Sequence, residues 1–332
     1  MTLNLLTDVP GLKVGHATDL ALGSGVTAIL FERAATVSVA VLGGAPGGRE
    51  TTMLEPEMGI SGIDAVVLSG GSAFGLDAAG GVQAALRAAG RGLDVFGALV
   101  PLVSSAILFD LLNGGNKAWG RFSPYRELGH AAALAAARGA FALGSVGAGT
   151  GATTATVKGG LGSASGVTRT GHTVGAIVAV NAVGAPTIGD GPWFWAAPFE
   201  QEAEFGGRGW PATMPAGALA PRLKRGPGTS TTIALVATDA ALTKPQAKRL
   251  AIMANDGLAR AILPAHAPMD GDTVFAASTG QRALADDYDL TALGHAATLA
   301  LARAVARGVF AATALPCPGA QQSWQDRFSA AG

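Results

Sequence analysis

Gly226-Pro-Gly-Thr-Ser-Thr-Thr-Ile-Ala-Leu-Val-Ala-Thr-Asp239 is the stretch on which the reading turns, because a glycine/proline turn delivers a run of hydroxyl residues straight into an apolar β-like segment. Thr231 stands at that junction. A threonine at the head of a strand ordinarily packs its β-branched side chain on a pleated surface. A hydroxyl held in a strained turn can instead attack the carbonyl before it, and hydrolysis of the resulting ester leaves that residue as a new N-terminus. Such a residue carries its own base, since a free α-amine has a pKa of about 7.7–8.0 and can take the hydroxyl proton near neutral pH. This stretch alone is compatible with both.

Outward from Thr231, short β-rich runs alternate with Ala/Leu-rich helical patterns. Val26 to Phe31 and Thr36 to Leu42 read as neighbouring strands, with Ala65 to Leu68 a third, while apolar spacing predicts a helix over Phe74 to Arg91. Further helices are predicted at Ala106–Leu112, His130–Arg138, Lys244–Ala261 and Leu290–Arg307, and strands at His172–Val183, Thr231–Thr238 and Thr273–Ser278. That order predicts a mixed α and β fold with sheets at the centre and helices outside. Pro192 to Gly228 holds five further prolines after its first and little periodicity, so it reads as a long irregular connection that places Thr231 at the end of an accessible arm.

No linker divides the 332 residues, and one compact unit spanning 1–332 is expected. Hydrophobic residues make up 49% and charged residues 14%, enough for a large core and few enough charges that other subunits are expected to cover part of the surface. The 23 basic residues balance 23 acidic ones without a Lys/Arg run, which argues against nucleic acid as a partner. Cys317 is the single cysteine, and the first residues lack the basic, apolar, small-residue order of a signal peptide, so a cytoplasmic location is expected. The most hydrophobic uncharged run, Val95 to Phe109, is shorter than the roughly 20 residues of a bilayer span and contains Gly97 and Pro101, and no membrane association is expected.

Several motifs fail on context. Gly147-Ala-Gly-Thr-Gly-Ala152 fits G-x-G-x-x-A, but it runs into Thr153-Thr-Ala-Thr-Val157 and opens no helix, which speaks against a dinucleotide. The five histidines lack metal-ligand spacing and are read as structural or surface residues. No G-x-S-x-G occurs, and Ser72 in Gly70-Gly-Ser-Ala-Phe-Gly75 reads as a cap for the helix that follows.

Four positions hold other chemistry. Lys158, flanked by Gly159 and Gly160, is either a surface lysine or a cation that a backbone or ligand approaches closely. Asn181 lies in the apolar run Ala176 to Val183, where a partnerless amide would cost about 1–3 kcal/mol, so it is a satisfied core amide or an oxyanion donor. Asp270 and Asp272 in Met269-Asp-Gly-Asp-Thr273 form an Asx-type turn, or a carboxylate pair that orients an amine or shares a proton.

Taken in order, Pro10 to His16, Leu68 to Asp77, Gly147 to Ala152 with Lys158 to Ala164, Val180 to Ala182, Thr231 to Ala240 and Asp270 to Val274 resemble the self-cleaving aminopeptidases. That family includes D-aminopeptidases, β-peptidyl aminopeptidases and nylon-oligomer endo-hydrolases, and the resemblance spans nearly the whole chain. It implies an α+β fold, an αββα four-layer sandwich of the N-terminal-nucleophile type. It implies self-cleavage between Ser230 and Thr231 into chains 1–230 and 231–332 that stay paired and assemble into a homo-oligomer. It further implies that Lys158 and Asn181 line the site, that Asn181 helps hold the oxyanion, and that Asp270 and Asp272 position the nucleophile or the substrate amine. The D-x-D pair is more similar to the nylon-oligomer branch. Ser230 departs from the Asn or Gly common before the nucleophile, and a tyrosine usual within the segment matching Pro101 to Leu112 is replaced by Phe109 as the nearest aromatic.

The expected activity is therefore hydrolysis of short peptides or oligoamides by Thr231, with no metal or organic cofactor required. An acyltransferase using the same chemistry, and an unprocessed binding protein, are the alternatives.

Overall fold

Strand β10 (Thr231–Ala240) is buried along its whole length, and the architecture is best followed from it. The computed structural model describes residues 2–224 and 230–329, so the predicted turn at 226–229 lies outside the described residues. In chain order the elements are β1 (Leu12–Asp19), β2 (Ser24–Val41), β3 (Gly48–Arg49), β4 (Ile63–Ser69), α1 (Ala78–Ala88), β5 (Leu93–Val95), β6 (Ala98–Val100), β7 (Val103–Ile107), α2 (Tyr125–Leu134), β8 (Leu161–Val167), β9 (Thr173–Asn181), β10, α3 (Lys244–Ala261), β11 (Thr273–Arg282), α4 (Asp287–Phe310) and α5 (Trp324–Phe328).

The strands run β3-β7-β4-β2-β11-β10-β9-β8, with β1 also on β2. β10 lies antiparallel to β9 and parallel to β11. Its apolar run is continuous because both faces are covered. Ile233 and Leu235 point one way, into a core shared with Val66, Leu68 and Phe275. Ala234 and Val236 point the other way, onto Leu250, Leu258, Leu301 and Val305 of α3 and α4. The two-residue period of the strand separates the faces. A third core joins Ala65 and Val67 of β4 to Val82 and Leu86 of α1 and Ala132 of α2. Since β4 and β10 meet across the first core although β2 and β11 separate them in the ladder, the sheet halves are stacked face to face. The layers are α1/α2, half-sheet, half-sheet, α3/α4, which is the expected αββα sandwich.

Strand β2 makes the stack possible and corrects one expectation. The runs 26–31 and 36–42 are two halves of a single 18-residue strand. Its first half pairs with β1 and β4, its second with β11, and the β4 register breaks between Leu30 and Ala35. The intervening Glu32-Arg33-Ala34-Ala35 holds no Gly, Pro or Asn to reverse the chain, so the strand changes partners instead of direction.

Other expectations shift for similar reasons. Residues 106–112 form no helix: Ala106 and Ile107 end β7, which is buried between β4 and β3, and a short apolar run cannot tell a buried strand from a helix. Ser72 does not cap α1. It sits at φ +52° and opens a 3-10 turn, Ser72–Asp77, while its N–H donates to Leu108 O at 2.9 Å. α3 spans the predicted 244–261 because Thr243 caps it and Gln246 returns the bond. The expected accessible arm is not what carries Thr231, since Ser230 and Thr231 are each only 3% exposed. Among the described residues no helix is long and apolar enough to cross a membrane.

Candidate active site

The first residue of β10 meets the last of β9: Thr231 and Asn181 are direct partners in the antiparallel ladder. β11 begins beside them, Thr273 pairing with Ile233, so the preceding Asp270-Gly-Asp272 loop reaches Thr231. The ladder thus gathers residues 39 or more positions apart in sequence, Asn181, Thr231 and the Asp270-Gly-Asp272 loop, at one sheet end.

Around Thr231 the packing is tight. Its Oγ1 donates a short hydrogen bond to Ser230 O, the carbonyl oxygen of the peptide bond that precedes it. A Cβ on Gly271 would fall 2.6 Å from that Oγ1, so only glycine leaves the threonine room. Asp272 Oδ1 accepts from Thr232 N at 2.8 Å and fixes the strand one residue beyond Thr231. Its Oδ2 accepts from His266 N at 3.0 Å and is 2.8 Å from His266 Nδ1. Asp270 is buried and accepts from Gly271 N at 3.0 Å and Val183 N at 3.4 Å. Burial, and next the Asp272 charge, push the Asp270 carboxyl well above the carboxylate range. For His266, burial acts to lower the pKa, but the Asp272 bond and the charges of Asp272 and Asp270 outweigh it and leave it raised.

Asn181 is fully buried and heavily bonded. Its Oδ1 accepts from Thr153 N at 3.0 Å and Lys224 Nζ at 2.8 Å, and its Nδ2 donates to Phe109 O at 3.0 Å. Phe109, Thr153 and Lys224 also line a cavity of about 550 Å³ together with Asp110, Asn113 and Gln321. The cavity therefore abuts the Asn181 amide and offers space for a substrate.

Lys158 is 1% exposed, so the surface reading falls. Its Nζ donates to Gly149 O at 3.1 Å and Gly159 O at 2.9 Å. Burial lowers its pKa to about 7 against the attraction of Asp110, and Lys224 adds like-charge repulsion. Lys158 is joined to the rest by charge and by the backbone of β9, where Val180 N donates to Gly160 O at 2.9 Å.

Three participants, Lys224, Asp110 and His266, carried no distinguishing signal in the sequence, and Phe109 was marked only by its ring. Lys224 is half-buried in the cavity wall and held to a pKa of about 7 by desolvation, with Asp270 and Asp110 pulling the other way. Asp110 is buried, accepts from Ser24 Oγ at 2.6 Å and Gly71 N at 2.8 Å, and has its carboxyl raised by desolvation. His266, read from sequence as structural or surface, is half-buried and bonded to Asp272. Phe109 contributes its backbone carbonyl, and the buried tyrosine hydroxyl nearby belongs to Tyr125, 3.0 Å from Ser24 Oγ. Gly271 alone was marked by the spelling D-G-D. The glycine motif at 147–152 folds as one 3-10 turn, Gly147–Gly149, and opens no helix.

Similarity to known proteins bears on the family and the fold. The pattern of peptidase family S58 matches residues 4–322. An uncharacterized aminopeptidase of Mycobacterium tuberculosis (strain ATCC 25618 / H37Rv) is 41% identical, with 99% of each chain covered. A 6-aminohexanoate-oligomer endohydrolase of Kocuria sp. (strain KY2) is 30% identical over 82% of this chain and 74% of its own. The solved L-aminopeptidase D-Ala-esterase/amidase of Ochrobactrum anthropi, described as a new variant among the Ntn hydrolase fold, superposes with a TM-score of 0.70 at 23% identity, covering 98% of this chain and 91% of its own. The fold is thus shared with that structure.

Proposed function

The chain belongs to peptidase family S58, and we propose that it is an amide-bond hydrolase that cuts itself between Ser230 and Thr231 and then uses the freed Thr231 as its nucleophile. The observation that carries this reading is the Thr231 hydroxyl lying against the Ser230 carbonyl, opposite Asn181 in the ladder.

In the first stage Thr231 Oγ1 attacks the Ser230 carbonyl carbon, the C–N bond breaks, and the departing nitrogen takes up the hydroxyl proton. Water then hydrolyses the ester, leaving a Ser230 carboxylate and a Thr231 α-amine. In the second stage that amine takes the proton from Oγ1, which attacks a substrate amide carbon. Asn181 Nδ2 supports the oxyanion, the leaving amine receives the proton, and water releases the acyl group. Asp270 and Asp272 flank the new ammonium and hold it toward the hydroxyl. Close to neutral pH a carboxylate beside this amine favours its charged form, while burial opposes it, and the balance sets how much free base is present.

The substrates proposed are short peptides or oligoamides small enough for the cavity beside Asn181, the class that the relatives' names indicate. The test is intact mass under denaturing conditions, with amide hydrolysis assayed in parallel. Wild type is expected to split at Ser230/Thr231 and Thr231→Ala to remain whole and inactive. Full activity in Thr231→Ala would overturn the proposal.

A further inference from the structure

We infer that Lys224 is a positioning residue that fixes which way the Asn181 amide faces, and so determines whether an N–H is presented to the oxyanion. This rests on the role proposed for Asn181 above. The two ends of a carboxamide are nearly equal in shape, and only the hydrogen-bond network decides which is oxygen. At Asn181 one end meets Thr153 N at 3.0 Å and Lys224 Nζ at 2.8 Å. A backbone N–H cannot accept, and Lys224 in its ammonium form, the form that prevails below its pKa of about 7, has no lone pair. The other end meets Phe109 O at 3.0 Å, which cannot donate. Turning the amide over would set N–H against two donors and oxygen against a carbonyl. The oxygen is therefore held toward Lys224 and the NH₂ toward Phe109.

Lys224 is suited to this task by its own surroundings. Besides Asn181 Oδ1, its Nζ lies 3.0 Å from Thr153 O, 3.1 Å from Thr153 Oγ1 and 3.3 Å from Asn181 O, so its three N–H groups are shared among four acceptors. It thereby ties the end of β9 to the cavity wall. Its own N–H donates to Val183 O at 2.7 Å, which anchors the segment just before 225–229 to the chain beyond β9. The ammonium also polarises the amide, since charge on the oxygen side makes the N–H a stronger donor.

The experiment is a cycle of Lys224→Met, Asn181→Ala and the double variant, with Lys224→Arg as the conservative replacement. Each is purified, checked by intact mass for cleavage and by thermal melting, and assayed for kcat and KM on an aminoacyl p-nitroanilide. Lys224→Met is expected to lose about 10–100-fold in kcat with KM little changed, the size seen when an orienting partner is removed. The double variant should be no slower than Asn181→Ala, because an orienting residue has nothing left to orient. Lys224→Arg keeps an obligate donor and should recover most of the loss. Self-cleavage gives a second reading of the same cycle, scored as the uncut fraction, should a variant mature too slowly to assay. Multiplicative losses in the double variant, a wild-type Lys224→Met, or an arginine as slow as methionine would each overturn the inference while leaving the hydrolase reading intact. Wild-type kcat in Asn181→Ala would instead remove the oxyanion role, and with it this inference.

Discussion

Gly271→Ala should slow self-cleavage about a hundredfold while leaving the fold assembled, a loss equal to that of displacing a reacting group by about 1 Å. A Cβ on Gly271 lies 2.6 Å from Thr231 Oγ1, 3.0 Å from Thr231 Cγ2 and 2.9 Å from Ala45 O. Ordinary contact starts at 3.4 Å, so the hydroxyl must retreat by roughly 0.8 Å. Rotation about χ1 gives no relief, because both branches of the threonine face the new methyl. The backbone cannot slide either: Asp272 holds Thr232 N–H at 2.8 Å and Asn181 fixes the register. Displacement therefore falls on the Thr231 side chain, the group that must reach the Ser230 carbonyl carbon. Overpacking of this kind costs about 1–3 kcal/mol, below the roughly 5–15 kcal/mol that keeps a domain folded. The assay follows the uncut fraction by intact mass after synthesis, with melting temperature measured on the same samples. Gly59→Ala is the control, since a Cβ there meets nothing within 4 Å. If Gly271→Ala matures within about threefold of wild type while Thr231→Ala stays whole, the steric argument is wrong.

Two further outcomes follow from the buried charges. Lys158 titrates near 7 when folded against an ordinary 10.5, so between those values the unfolded chain binds the extra proton and stability rises with pH, by up to about 1.4 kcal/mol per unit. Urea unfolding in the Thr231→Ala background should show the gap between Lys158 and Lys158→Met moving in lysine's favour from pH 7 to 10, and a flat gap would refute the shift. Asp272→Asn should lower the His266 pKa, because the Asp272 bond and charge are what raise it against burial. Titration of the imidazole Cε1–H signal by NMR measures this, and an unmoved midpoint would mean that the pair is not formed.

The layers were legible where burial is periodic or continuous. α3 and α4 were readable because their apolar positions recur at helical spacing and Thr243 marks a start. β9 and β10 were readable because their central runs, 174–180 and 233–237, are buried on both faces and contain no polar residue. What stayed hidden was pairing. Nothing in 26–42 announces that one strand serves both half-sheets, since partner choice depends on β4 and β11, which lie elsewhere in the chain. The stretch 106–112 misled for a related reason: its apolar content records burial, and burial alone does not specify whether the backbone bonds to itself or to a neighbour.

The site divides along the same line, between residues whose chemistry conflicts with their surroundings and residues made unusual only by packing. Asn181 inside an apolar run and two carboxylates around a glycine are local contradictions, visible without a structure. Lys224, among prolines and basic residues in a long connection, reads locally as an ordinary surface cation. Its significance comes from a fold that half-buries it beside the cavity and spends its hydrogen bonds on Thr153 and Asn181. His266 is similar, because its Asp272 partner lies six residues away across a turn, a spacing shared by many pairs that never touch. A sequence thus displays the groups that meet a reacting bond more readily than those that orient them. The first kind must be of a particular type wherever the chain runs, whereas the second kind need only arrive in the right place. Orienting residues are accordingly where a structure adds most to this chain, and where substitutions should separate kcat from KM.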